Sequence, residues 1–218
     1  MVFLLVLLTI VVVICVQQLA RVIEQHRLVG PATAFRGIAA AGQTFVHEGH
    51  TWARLDTSGE AKIGIDHFLM KVLGGADRVS CPAPGRIVSQ GERIFSVWRN
   101  GREVELVSPI EGVVVSLNES ADLNTETAKK DPYAAGWLFS IRPRNLAESL
   151  SHVRSLEQAA GWFDSEVKRF STFLVEGSVR YAGVGATMQD GGQYPAGIIE
   201  KMGEEQFKAF QRRFLSRI

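Results

Sequence analysis

The stretch MVFLLVLLTIVVVICVQQLA, Met1 to Ala20, contains no charged side chain, and its first sixteen residues are apolar apart from Thr9. At about 1.5 Å per residue, a helix of twenty such residues reaches roughly 30 Å, the thickness of a bilayer's hydrocarbon core. A cleaved signal peptide would show a basic start, a shorter apolar stretch and a small-x-small exit, and none is present. Cys15 lacks the small residue expected before a lipoprotein cysteine. The pattern predicts a retained single-pass membrane anchor through residues 1–20. Its helix continues to Leu28, so residues 1–28 form one unit. Arg21 and Arg27 follow the span against Glu24, and no basic side chain precedes it. The positive-inside rule then places the C-terminal bulk in the cytoplasm. Residues 29–43, rich in small side chains and containing Gly30-Pro31, read as a linker.

From Thr44 to Arg144 the apolar positions alternate in short runs separated by glycine, proline and asparagine. HTWARLD, AKIGI, ERIFSVW, REVELV, GVVVSL and GWLFSIRP read as strands, and DRVSCPAPG as a strand broken by Pro82 and Pro84. Asn100-Gly101 between two of them predicts a two-residue type I′ hairpin turn. DHFLMKVLGG reads as a short helix, with Asp66 as its N-cap and Gly74 as its stop. Many short strands punctuated by turns predict a small barrel or sandwich over residues 44–144.

Residues 145–218 change period. Asn145 and Glu148 suit a capping box. Leu146, Leu150, Val153, Leu156, Ala160, Phe163, Val167, Phe170 and Leu174 recur at three- and four-residue steps, which predicts one amphipathic helix to about Val175. The glycine-rich stretch Gly183 to Gly192 reads as a loop. GEEQFKAFQRRFLSRI predicts a last helix with Phe207, Phe210 and Phe214 on one face. Acids at its start and arginines at its end suit the helix dipole.

Charge adds mostly exclusions. The chain has 218 residues, with 24 Lys and Arg against 23 Asp and Glu. Near neutrality gives no long-range field for nucleic acid. Cys15 and Cys81 cannot build a disulfide framework, and Cys81 reads as a small core hydrophobe. His47, Glu48 and His50 have the spacing H-E-x-H, one residue short of a zinc-binding helix, so no metal site is expected. No phosphate loop, no nucleophile constellation and no small-molecule substrate site stand out, so the chain is not expected to be an enzyme.

Four segments, in order, carry a family likeness: HTWARLDTSGEAKIGIDHFLMKVLGG, PAPGRIVSQGE, SPIEGVVVSLNES and KKDPYAAGWLFSIRP. Together they resemble the H protein of the glycine cleavage system over roughly His50 to Pro143. The resemblance implies a mainly β fold with added helices, the lipoyl-type barrel-sandwich hybrid. Here it would be preceded by one transmembrane helix and followed by C-terminal helices. It also implies a lysine after Ser-Val at a hairpin tip, where a lipoyl group is attached.

This chain departs from the family at that lysine. Ser96-Val97 is followed by Trp98, and no lysine lies between Lys71 and Lys129. Arginine stays protonated and is a poor acyl acceptor. No lipoyl or other cofactor is therefore expected, the lysine's place being taken by Trp98 or the Asn100-Gly101 turn. Trp98, Arg99, Asn100 and Arg102 instead form a candidate contact patch for an unknown protein partner, since Trp and Arg dominate binding hot spots. The expected function is a membrane-tethered, non-lipoylated protein-binding scaffold. The alternative is a carrier or relay component that handles lipoyl or another acyl group in an unconventional way.

Overall fold

The computed structural model describes residues 42–176 and 194–215. The expected anchor, nearly all of the linker and the Gly183–Gly192 loop lie outside the described residues. Among the described residues, no helix is long and apolar enough to cross a membrane.

Ten short strands make two antiparallel sheets. They are β1 (Thr44–Val46), β2 (Thr51–Leu55), β3 (Ala61–Ile65), β4 (Arg78–Ser80), β5 (Ile87–Val88), β6 (Arg93–Arg99), β7 (Arg102–Val107), β8 (Gly112–Leu117), β9 (Trp137–Pro143) and β10 (Arg154–Ser155). One sheet has seven strands in the order β10-β1-β2-β3-β9-β8-β5, the other three in the order β4-β6-β7. The alternating apolar positions of the strands meet between the sheets. Phe95 on β6 touches Phe139 on β9, ring centroids 5.3 Å apart and edge to face. Trp52, Ile63, Phe139, Val97 and Leu106 are all but completely buried there. Trp52 keeps its indole N–H satisfied by donating to the Ile65 carbonyl at 2.8 Å.

Helix α1 (His67–Leu73) lies between β3 and β4, with the predicted ends. The Asp66 carboxylate accepts from the Leu69 N–H, and Gly74 closes the helix in the left-handed region at φ 72°. Two shorter helices follow, α2 (Glu126–Lys130) and α3 (Leu146–Ser151). The long helix expected from Leu146 to Val175 is not continuous. Helix α3 stops at His152, Arg154 and Ser155 pair with Val46 and Phe45 of β1, and the helix resumes as α4 (Ala160–Glu176). The Leu156 N–H also donates to the Thr44 carbonyl at 2.8 Å. A helical period cannot anticipate that a sheet edge will claim these backbone groups. The last predicted helix is present as α5 (Glu204–Phe210), which runs into a π turn over Gln211–Leu215.

The helical residues share the β domain's core. Phe163, Phe170, Phe173 and Leu174 of α4 pack with Phe207, Phe210 and Phe214, and Phe68 of α1 closes the same cluster. A single apolar cluster thus runs from Phe45 to Leu215.

Candidate functional site

The β6–β7 hairpin ends as its sequence predicts. Asn100 and Gly101 both have positive φ, 49° and 74°, and Arg99 pairs with Arg102 across the turn. Asparagine tolerates the left-handed region and glycine meets no steric penalty there, so the strands can reverse in two residues. Trp98 lies opposite Arg78 of β4, whose guanidinium stacks 3.8 Å from the ring centroid.

The two arginines of the tip turn toward the chain's own C-terminal segment. Arg99 Nε donates to Glu200 at 2.7 Å and Nη1 to Asp77 at 3.1 Å. The second oxygen of Asp77 accepts from the Asn100 N–H at 2.6 Å, so one carboxylate holds both the arginine and the turn. Arg102 donates to the Ile199 carbonyl at 2.7 Å and to that of Met202, with its guanidinium over the Phe207 ring. The acceptors belong to a 3₁₀ turn (Ile198–Lys201) and the residue after it. That turn sits against the end of α1. The Gly197 N–H donates to the Lys71 carbonyl at 2.9 Å, and a β-carbon on Gly74 would come within 2.7 Å of the Gly197 Cα. Of the four residues expected to form a contact patch, Asn100 is exposed, Trp98 is half-buried, and Arg99 and Arg102 are engaged within the chain.

A second polar constellation is fully buried. His50, at φ 61°, donates its Nδ1–H to the Asp66 carboxylate at 2.8 Å, and both side chains are inaccessible to solvent. Its Nε2 faces the Glu166 carboxylate of α4 at 3.9 Å. Phe68 and Trp162 stack on the imidazole, at 4.4 and 5.3 Å. Asp66 therefore caps α1 and anchors His50, and His50 connects β2 to α4. From the sequence, His50 carries no expected metal role and Asp66 is expected only as a cap. The signal for their pairing lies in the fold, because the partners are far apart in sequence.

The other sequence candidates separate in space. His47 Nδ1 accepts from the Gly49 N–H at 2.9 Å, and Glu48 pairs with Arg154 at 2.7 Å. Neither joins His50 on Asp66, and no group of three His, Cys, Asp or Glu side chains able to hold a metal exists among the described residues. Burial pushes the Cys81 thiol up to about 11, so it is a poor nucleophile at neutral pH.

Comparison with known proteins assigns these elements to a family. Residues 44–165 match the family described as glycine cleavage H-protein. The glycine cleavage system H protein of Neisseria meningitidis serogroup B is 36% identical over 115 residues, spanning 53% of this chain and 89% of that protein. A probable glycine cleavage system H protein of Pyrococcus horikoshii is 32% identical over 111 residues, spanning 51% and 82%. A solved H protein from Mycobacterium marinum aligns with a TM-score of 0.47 and 25% identity, over 58% of this chain and 99% of that one. With its strands, its first helix and its hairpin inside the matched segment, the chain belongs to the glycine cleavage H-protein family.

Proposed function

We propose that this protein is a membrane-tethered member of the H-protein family that carries no lipoyl group and works as a protein-binding scaffold. The observation that carries the reading is the hairpin tip. Where the family resemblance implies a lysine, Ser96-Val97 leads into Trp98-Arg99-Asn100-Gly101-Arg102, and the chain has no lysine between Lys71 and Lys129. A swinging arm needs a primary amine to acylate, and the hairpin offers none. With attachment chemistry gone, what a family scaffold retains is surface for docking.

The tether is supported by the charge-free run Met1–Ala20 and the basic residues after it. Confinement to a membrane would raise the module's effective concentration near a membrane partner without any new contact. The partner surface is composite: Trp98 and Asn100 supply its outer part, while Arg99 and Arg102 hold the 198–202 segment beside them. The test is affinity capture from solubilised membranes with the native chain and with Trp98, Arg99, Asn100 and Arg102 replaced by alanine. The scaffold reading expects a defined partner that the substituted chain loses. Equal recovery with both chains removes the hairpin from recognition.

A further inference from the structure

An open cleft of about 740 Å³ lies away from the hairpin tip, lined by His47, Glu48, Gln90, His152, Val153 and Arg154 among others. Three structural elements meet there: the β1–β2 loop, the turn before β6, and the α3–β10 connection. Among the described residues, two of these side chains, His47 and Arg154, keep N–H donors without acceptors.

His47 is 7% exposed. Because its Nδ1 accepts from the Gly49 N–H, a neutral ring must carry its proton on Nε2. Burial keeps the ring neutral by lowering its pKa, against the opposing pull of Glu48. Nε2–H has no acceptor among the described residues, so a nine-tenths-buried side chain offers a donor to the cleft. Arg154 uses Nη2 on Glu48 and rests its guanidinium 5.5 Å from the Trp162 ring centroid, which fixes its plane and leaves further N–H groups. Gln90 donates its amide hydrogens to the Pro109 and Ser149 carbonyls, which fixes that wall of the cleft and leaves its oxygen as an acceptor. His152 is exposed at the mouth.

We infer that this cleft binds a small organic monocarboxylate, held between the His47 Nε2–H and the unpaired edge of the Arg154 guanidinium. The chemistry disfavours other ligands. Glu48 in the wall repels a phosphate dianion. Among the described residues no group of three His, Cys, Asp or Glu side chains converges there to hold a metal ion. Among the described lining residues Val153 is the one aliphatic side chain, so a lipid tail or aromatic ring has little there to bury against. A monoanion can displace water from a charged and a neutral donor at once, and hydrogen bonds that involve an ionised group are the strong ones.

The test uses the full chain in detergent, labelled for histidine ring resonances, titrated with propionate and separately with propionamide. Propionate should give saturable shifts at His47 and His152 with propionamide inert. Arg154→Gln should weaken propionate by roughly tenfold or more, the loss of one charge-assisted hydrogen bond. Glu48→Gln should tighten it, since this frees Arg154 and removes a repelling charge. If Arg154→Gln fails to fold, Glu48→Gln decides alone, and unchanged or weaker binding in it overturns the proposal. So does an equal response to the amide, or no saturable shift by propionate up to on the order of 10 mM, a bound near the weakest useful affinities.

Discussion

The hairpin tip and the β2–α1 junction use the same kinds of side chain to opposite ends. At the junction, His50 and Asp66 meet at 2.8 Å with no solvent access, and Asp66 also caps α1. At the tip, Arg99 meets Asp77 and Glu200 with about a quarter to a half of each side chain exposed. Buried, a hydrogen-bonded polar pair cannot lose one partner without leaving the other unsatisfied. Half-exposed, the same pairing is largely replaced by water when broken. The junction is therefore part of what makes the domain fold, and the tip is an adjustable attachment of the C-terminal segment to the hairpin. A tip that contributes little to stability is free to differ from its relatives in chemistry, and this is where the proposed loss of the acyl attachment falls.

That contrast can be broken by substitution. Asp66→Ala removes the partner of a buried imidazole and the cap of α1 together, and should destabilise the chain by about 2–4 kcal/mol. Urea unfolding followed by tryptophan fluorescence measures it, and a loss under about 1 kcal/mol, the size of a surface pair, would erase the distinction. Arg99→Ala should cost only about 0.5–1 kcal/mol, the range of partly exposed pairs. Its clearer signature should be faster amide exchange at Ile199 to Met202.

Acidification sharpens the comparison further, because the histidines that respond lie outside the tip. Desolvation lowers both His47 and His67 from their ordinary value of 6.5. The unfolded chain therefore takes up protons near pH 6.5, while the folded chain still holds both rings neutral. Their contribution to stability is complete above pH 6.5 and is lost as pH falls from there through the lowered folded values. Urea midpoints at mildly alkaline and mildly acidic pH should show that decline, and His67→Gln should make it smaller. A midpoint independent of pH across this range would contradict the desolvation argument.

Local chemistry was legible in the sequence wherever neighbours in the chain decide the outcome. Asp66 and Gly74 bound α1, and Asn100-Gly101 turn the hairpin, because caps and turns are set within four residues. The faces of Phe163, Phe170, Phe207, Phe210 and Phe214 point inward as their spacing predicts. What the sequence withheld depends on distant pairing. The register Phe45↔Ser155 splits a helix-like stretch, and a three-four period carries no trace of a strand waiting more than a hundred residues away. The acceptors for Arg99 and Arg102 at residues 199–202 were equally invisible, so a tip whose arginines the sequence offers to a partner is half-covered by the chain itself. The His47 cleft was hidden for the same reason, since Gln90, His152 and Arg154 converge only in the fold.

The central claim is that the family scaffold here is without its acyl attachment. Intact-mass measurement of the polypeptide isolated from its native cells tests this most directly. It reports on every lysine, including Lys201, which shares a shallow hollow with Arg99 and Glu200 beside the tip. The account predicts a mass free of any lipoyl adduct. A lipoylated species, at whatever residue, would contradict it.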